Sequence, residues 1–445
     1  MNPLFTPLPL RNITLRNRIV RSATYEGLGL PDGTPRPELG ALYRRLAQGG
    51  SGTLITGFVF ISQAGRAMQP GQCGIDSDAK ADAWKTIIEP IKRDFPETAL
   101  IMQLAHTGRQ TKSSVTGQPA VGVSHRRCSY FRQRVHVLSG NEIETIIGEF
   151  AAAAKRAQSA GFDGVQLHAA HGYLIHQFLS PWTNNRSDRW GEPTAFLEAT
   201  IRAVKTACGE HFPVLLKLSA ADDNTPGIRL EHTIEILRKI APLEIDAVEI
   251  SYGTMEHALN IMRGDCPVDL ALEINPLFTR IPRPLRALWR RFRAPAYTRH
   301  FIPFHPNYNL DAAAQIKERT GVPVLAVGGF RDADSMAAAI AEGRTDAVSL
   351  CRPLIIDPDW PRKIEQGVSS RSTCTNCNRC TIYCDAPEPT RCKLVDDGSL
   401  SQTPEWLRAS FVIRSESTSR FNTTEQDAPS TFGAASHKNH TRKNL

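Results

Sequence analysis

Short apolar runs bounded by Gly, Pro and polar residues recur through the first 366 residues, at 19–24, 53–60, 99–104, 164–168, 214–218, 247–250, 324–327 and 347–350. Unalternating runs of this length suit strands covered on both faces. Between them apolar residues return every three to four positions, the helical period. The clearest helix opens at Ser139-Gly-Asn-Glu142, a capping box in which serine and glutamate satisfy orphan amides reciprocally. Ile143, Ile146, Ile147, Phe150 and Ala154 follow on one face, and Gly161 marks the stop. Another runs from Asn309 to Gly321. Eight strand–helix units in one series predict an α/β protein, a TIM (β/α)8 barrel over residues 1–366. An open doubly wound sheet is the second reading, less suited to eight consecutive units.

Three stretches leave this rhythm. Residues 253–307, inserted before the seventh strand, carry many prolines and arginines and no evident periodicity. They are too long for a plain connector and read as a lid, an oligomer contact or a membrane-facing patch. Residues 367–394 form a cysteine-rich extension. Residues 395–445 are rich in Ser, Thr, Asn and charge, and are expected to be disordered.

Composition changes this picture only locally. The chain has 445 residues and a net charge of +8. Residues 280–299 hold seven arginines and no acid. A solvated basic face is the ordinary reading. Contact with a peripheral membrane or an acyl-CoA phosphate is the minority one; no nucleic acid is expected, and a homo-oligomer is left open. No apolar signal core opens the chain and no run of about 18 apolar residues occurs, so the expected location is cytoplasmic. Of ten cysteines, five lie between Cys374 and Cys392. In a long enzyme, such spacing reads as thiols or metal ligands and not as a disulfide frame.

Candidate chemistry gathers where strands end, the face on which barrels build active sites. After the fourth strand come His168, His171 and Tyr173. Two imidazoles can donate to one oxygen and a phenol can hand over a proton, which suits a carbonyl-bearing substrate. The first strand ends in Ser22-Ala23-Thr24-Tyr25, the second near Gly57, the third at Gln103 and the fifth at Lys217. Gly328-Gly329 follow the seventh strand and Cys351-Arg352 the eighth. Glycines let amides approach an anion and arginine adds bidentate charge, so this pair of strand ends reads as a phosphate site. Gln103 and Lys217 then suit the amide-like edge and the electron-rich N1–C2 locus of a flavin.

These residues resemble the old yellow enzyme family of FMN-dependent NADH:flavin oxidoreductases, including the barrel domain of 2,4-dienoyl-CoA reductase. The resemblance covers roughly residues 3–366. It rests on Arg16-Asn-Arg-Ile-Val-Arg-Ser22, Gln103-Leu-Ala-His-Thr-Gly-Arg109, His168 to Tyr173, Phe178-Leu-Ser-Pro181 with Asn184-Asn-Arg-Ser-Asp-Arg-Trp-Gly191, and Val327-Gly-Gly329, all in family order. It implies non-covalent FMN, NADH or NADPH as reductant, and an alkene substrate conjugated to a carbonyl. His168 and His171 would hold the substrate oxygen and Tyr173 would protonate the α-carbon. Ser22, Ala23, Thr24, Tyr25, Gly57, Gln103 and Lys217 would meet the flavin; Gly328, Gly329, Cys351 and Arg352 would hold its phosphate. Tyr25, Lys217 and Cys351 depart from the cysteine or threonine, arginine and glycine usual there. Larger relatives carry a four-iron cluster at a pattern like Cys374, Cys377, Cys380 and Cys392, which here is one residue short in its second gap. Iron–sulfur, zinc and free thiols all stay open. Alternatives in function are amine or ether oxidation or demethylation, and a non-catalytic FMN-binding barrel with a basic partner interface.

Overall fold

Eight parallel strands pair edge to edge until the last meets the first. A computed structural model describes residues 2–276 and 278–396. The strands are Ile19–Arg21 (β1), Thr53–Ile55 (β2), Ala99–Ala105 (β3), Gly164–Ala169 (β4), Val214–Ser219 (β5), Ala247–Ser251 (β6), Val324–Val327 (β7) and Ala347–Leu350 (β8). Each pairs with its successor, and β8 with β1. The ring is therefore a barrel and not the open sheet. Apart from Val327, every strand residue is buried, as an all-parallel sheet wrapped by helices requires.

The barrel interior is layered by sequence. Val20, Ile55, Ile101, Leu215, Ala247, Leu325 and Ala347 pack in its lower half, closed below by Leu8 and Leu15 of a small antiparallel hairpin. Two residues further along β5 and β6 the same inward register carries Lys217 and Glu249, and then Ser219 and Ser251. An apolar plug thus supports a polar floor, because side chains alternate with a period of two.

The outer helices are Glu38–Gln48 (α1), Asp78–Asp94 (α2), Gly140–Ser159 (α3), Ala195–Cys208 (α4), Leu230–Ile240 (α5), Leu310–Thr320 (α7), Ala333–Ala341 (α8) and Trp360–Glu365 (α9), with Arg283–Phe292 (α6) in the insertion. The Ser139–Glu142 capping box forms at α3, with Ser139 N–H donating to Glu142 Oε2 at 2.7 Å. Gly321 stops α7 in the left-handed conformation.

One expected strand needs correction, and two further stretches carry structure that the pattern did not announce. The run 53–60 is not one strand: it breaks at Thr56–Gly57, where the Gly57 amide donates to Glu26 Oε1 at 2.8 Å, and resumes at Val59–Phe60 against the end of β3. The insertion 253–307 is largely helical, with Met255–His257, Ala258–Ile261, Val268–Ile274, Phe278–Arg280, α6 and Ala294–Thr298. Its short turns hid the period. Residues 367–394 fold back across the mouth of the barrel: Thr390 N–H donates to Glu26 O, and a helical turn, Arg379–Tyr383, leads to residues that line the central cavity. The expected tail at 395–445 begins inside the turn Lys393–Asp396, and residues 397–445 lie outside the described residues. Among the described residues no helix is long and apolar enough to cross a membrane.

Candidate active site

The C-terminal ends of the strands open on one cavity of about 300 Å³. Of the residues expected at the site, Ser22, Ala23, Thr24, Tyr25, Gln103, His168, His171, Tyr173, Lys217, Gly328, Gly329, Cys351 and Arg352 line it. Gly57 does not. It packs against Glu26, and a Cβ there would meet that carboxylate and Thr24 O.

The turn after β4 is held in an uncommon shape. His171 sits at φ 61° and Gly172 at φ 76°. A left-handed non-glycine residue is sparsely populated and persists only when its surroundings impose it. Here Gln110 Nε2 donates to His171 O at 2.9 Å, Met255 N–H donates to the same oxygen at 2.9 Å, and His171 N–H donates to Ser219 Oγ. The two imidazoles are also bonded to each other, His171 Nδ1 lying 3.3 Å from His168 Nε2, and His171 Nε2 lies 2.8 Å from Ser251 Oγ. Burial, with Lys217 nearby, drives His168 down to about 3; burial, with His168 and Lys217 nearby, drives His171 well below its usual value. Both rings are therefore neutral and can each offer one N–H. The Tyr173 ring packs 4.6 Å from His168 and 5.8 Å from Phe58, and burial raises its phenol, so it holds its proton at neutral pH.

Beneath this turn runs a continuous polar row. Gln103 Nε2 donates to Gln166 Oε1 at 2.7 Å, and Gln166 Nε2 to Glu249 Oε2 at 3.1 Å. Lys217 Nζ donates to Glu249 Oε2 at 2.8 Å and to Ser22 Oγ at 3.0 Å. Burial opposes charge on Glu249, but Lys217 and the hydrogen bonds from Lys217, Ser22 and Gln166 outweigh it and keep the carboxyl below its ordinary range. Lys217 is thus a partnered cation, its charge set against Glu249. Glu249 and Gln166 escaped the sequence reading because both sit inside apolar runs, where strand register alone turns them inward.

The phosphate end is equally built. Gly328 and Gly329 take φ 133° and 82°. A Cβ on Gly328 would lie 2.5 Å from the Tyr308 ring, and one on Gly329 2.7 Å from the Asn307 amide. Arg352 is pinned by Asn378 Oδ1 at 2.6 Å, a partner from the cysteine-rich segment. Arg331 and Ser349 also line the cavity, and Arg331 Nε and Ser349 Oγ are buried with no protein partner. Buried donors normally have acceptors, so glycine cradle and orphaned polar atoms together fit an anionic group such as the FMN phosphate.

Among the four candidate metal ligands only Cys380 lines the cavity; Cys384 joins it. Burial raises the thiols of Cys374, Cys380 and Cys392, and neighbouring cysteines add to it: Cys377 at Cys374, Cys384 and Cys351 at Cys380, and Cys374 and Cys377 at Cys392. Among the described residues no three His, Cys, Asp or Glu side chains converge to hold a single ion. The sequence also missed Asp385, half-buried at the cavity wall, whose carboxyl burial pushes up to about 6. It accepts from Gln69 Nε2 at 3.1 Å and Asn275 Nδ2 at 2.5 Å.

Barrel and cavity define a protein shaped to lay a planar, phosphate-tailed cofactor across strand ends. The chain belongs to the NADH:flavin oxidoreductase / NADH oxidase family, whose model matches residues 3–270 and 293–371. It is 30% identical over 386 residues to an NADH oxidase of Thermoanaerobacter brockii, covering 86% of this chain and 53% of that one. It spans about half the length of that relative and of a metal reductase of Desulforamulus reducens, to which it is 30% identical over 91% of its own length. Among solved structures, 2-naphthoyl-CoA reductase in complex with 2-naphthoyl-CoA matches with a TM-score of 0.74 at 23% identity, over 88% of this chain and 56% of that chain. The family is FMN-dependent and is served by NADH or NADPH.

Proposed function

We propose that this protein is an FMN-dependent reductase that uses NADH or NADPH to reduce a carbon–carbon double bond conjugated to a carbonyl. The observation that carries the reading is the meeting of Tyr173 with neutral His168 and His171 on the cavity that also holds Gln103, Lys217 and the Gly328–Arg352 anion cradle. FMN, when bound, supplies the acceptance and delivery of hydride.

The residues divide the remaining work. Gly328, Gly329, Arg331 and Arg352 would hold the phosphate, and Ser22, Ala23, Thr24, Gln103 and Lys217 the ring. The Lys217–Glu249 pair moderates the positive field offered to the ring. His168 and His171 exchange their mutual hydrogen bond for the substrate carbonyl oxygen and polarise it. Tyr173 keeps its proton through neutral pH and gives it from Oη to the α-carbon.

An absorption spectrum of purified protein before and after anaerobic NADPH tests the cofactor, and NADPH oxidation with a cyclic enone against an N-methyl donor tests the reaction. Flavin bleaching by NADPH and reoxidation by the enone are expected. Protein that stays colourless with added FMN, or that turns over only the N-methyl donor, would overturn this assignment. Iron and acid-labile sulfide analysis of anaerobically purified protein tests the cluster reading of Cys374, Cys377, Cys380 and Cys392; no step above depends on it.

A further inference from the structure

Helix α6 lies wholly within the stretch that the family match omits, between residues 270 and 293. None of its residues is buried. At 3.6 residues per turn Leu285, Leu288 and Phe292 fall on one stripe, and they are 52%, 57% and 63% exposed. Arginines at 283, 286, 290 and 291 occupy the remaining circumference, and Arg293 follows at the helix end. The helix is amphipathic, yet its apolar stripe faces solvent. What packs inward is Trp289, whose ring lies 5.3 Å from Phe278 and 6.3 Å from Tyr297, both of which line the cavity. The exposed stripe thus backs onto the aromatic wall of the active-site cavity.

Charge decides what can cover this stripe. A second copy, packed face to face, would oppose two sets of the seven arginines of residues 280–299. The acid beside α6, Asp269, is already paired with Arg290 at 3.0 Å. An anionic bilayer complements both faces at once: side chains of the stripe enter the headgroup boundary while long arginine side chains reach lipid phosphates. We propose that α6 seats this protein on an anionic lipid surface, with Leu285, Leu288 and Phe292 inserted and the flanking arginines bonded to headgroup phosphates. This does not depend on the reaction assigned above.

The test is co-sedimentation of the full, flavin-loaded chain with phosphatidylglycerol/phosphatidylcholine vesicles and with phosphatidylcholine alone. Binding to the anionic vesicles alone is expected, with release by about 0.5 M salt as charge is screened. Leu285→Ser, Leu288→Ser and Phe292→Ser combined should weaken binding by about tenfold or more, with flavin content and NADPH oxidation in solution unchanged. Failure of the unaltered chain to bind anionic vesicles at low salt would overturn the proposal, as would equal binding by the triple variant. Sedimentation velocity is the second measurement. A dimer that the triple variant converts to monomer, with vesicle binding unaffected, would make the stripe a self-interface and overturn the proposal too.

Discussion

The floor of the cavity and its roof are built differently. The floor comes from strand ends, where Gln103, Gln166, Lys217, Glu249 and Ser22 join in one hydrogen-bonded row and every member is buried. The roof comes from excursions: Tyr130 and Phe131 after β3, Phe278, Tyr297 and Phe301 from the insertion, and Ile382 and Asp385 from the cysteine-rich segment. It is mainly aromatic and apolar. A floor of interlocked polar groups tolerates little change, since each loss strands a partner. A roof of loosely related loops can vary and thereby select what lies beneath it.

The largest effects should fall on the floor and its border. Tyr173→Phe should slow alkene reduction by about 10²–10⁴, the usual worth of a positioned acid, while sparing flavin reduction by NADPH; stopped-flow of the two half-reactions checks this, and equal loss in both would remove the acid role. Glu249→Gln leaves Lys217 without its counter-charge and should cost about 3–5 kcal/mol of stability, read from urea denaturation, while raising the flavin potential. Arg352→Ala should weaken FMN retention by about 10–100-fold, one charge-assisted contact being worth ~1.5–3 kcal/mol; fluorescence titration reports it.

The roof should respond less, and through pH. Asp385 titrates near 6, above its ordinary value, because burial favours the neutral carboxyl. The folded state then binds more protons than the unfolded one between about pH 4 and 6, so its contribution falls as pH rises through that window. Asp385→Asn should raise the melting temperature by a few degrees above pH 7 and leave it nearly unchanged below pH 4. It should also flatten any step near pH 6 in the alkene half-reaction, since the ionised carboxylate makes the Tyr173 proton harder to give. A tyrosine variant as pH-sensitive as the parent would disconnect Asp385 from proton transfer.

How far the sequence could be read follows the same division. All eight strands and the capping box at Ser139 are local patterns, set by apolar runs and by side chains reaching three residues away; each strand begins where the pattern puts it, although the second ends early. The strand-end residues His168, Tyr173, Gln103 and Arg352 were legible because position after a strand already implies position in a barrel. Glu249 and Gln166 were not, since one register decides between inward and outward. Gly57 was misplaced because the second strand breaks where Glu26, from a different loop, captures its amide. The insertion hid its helices in turns of three to ten residues, too short for a 3.6-residue period to accumulate. Asp385 and Cys384 come to the cavity through a return of the chain that no local signal announces.

One consequence concerns the thiols in the wall. An alkene electrophilic enough to accept hydride at its β-carbon is equally open to conjugate addition by sulfur, and Cys380 and Cys384 border the space it would occupy. The attacking species is the thiolate. Burial pushes Cys384 up to about 12 and Cys380 well above the ordinary thiol value. The same dry enclosure that keeps the imidazoles uncharged would therefore protect these thiols from alkylation by the substrate proposed above.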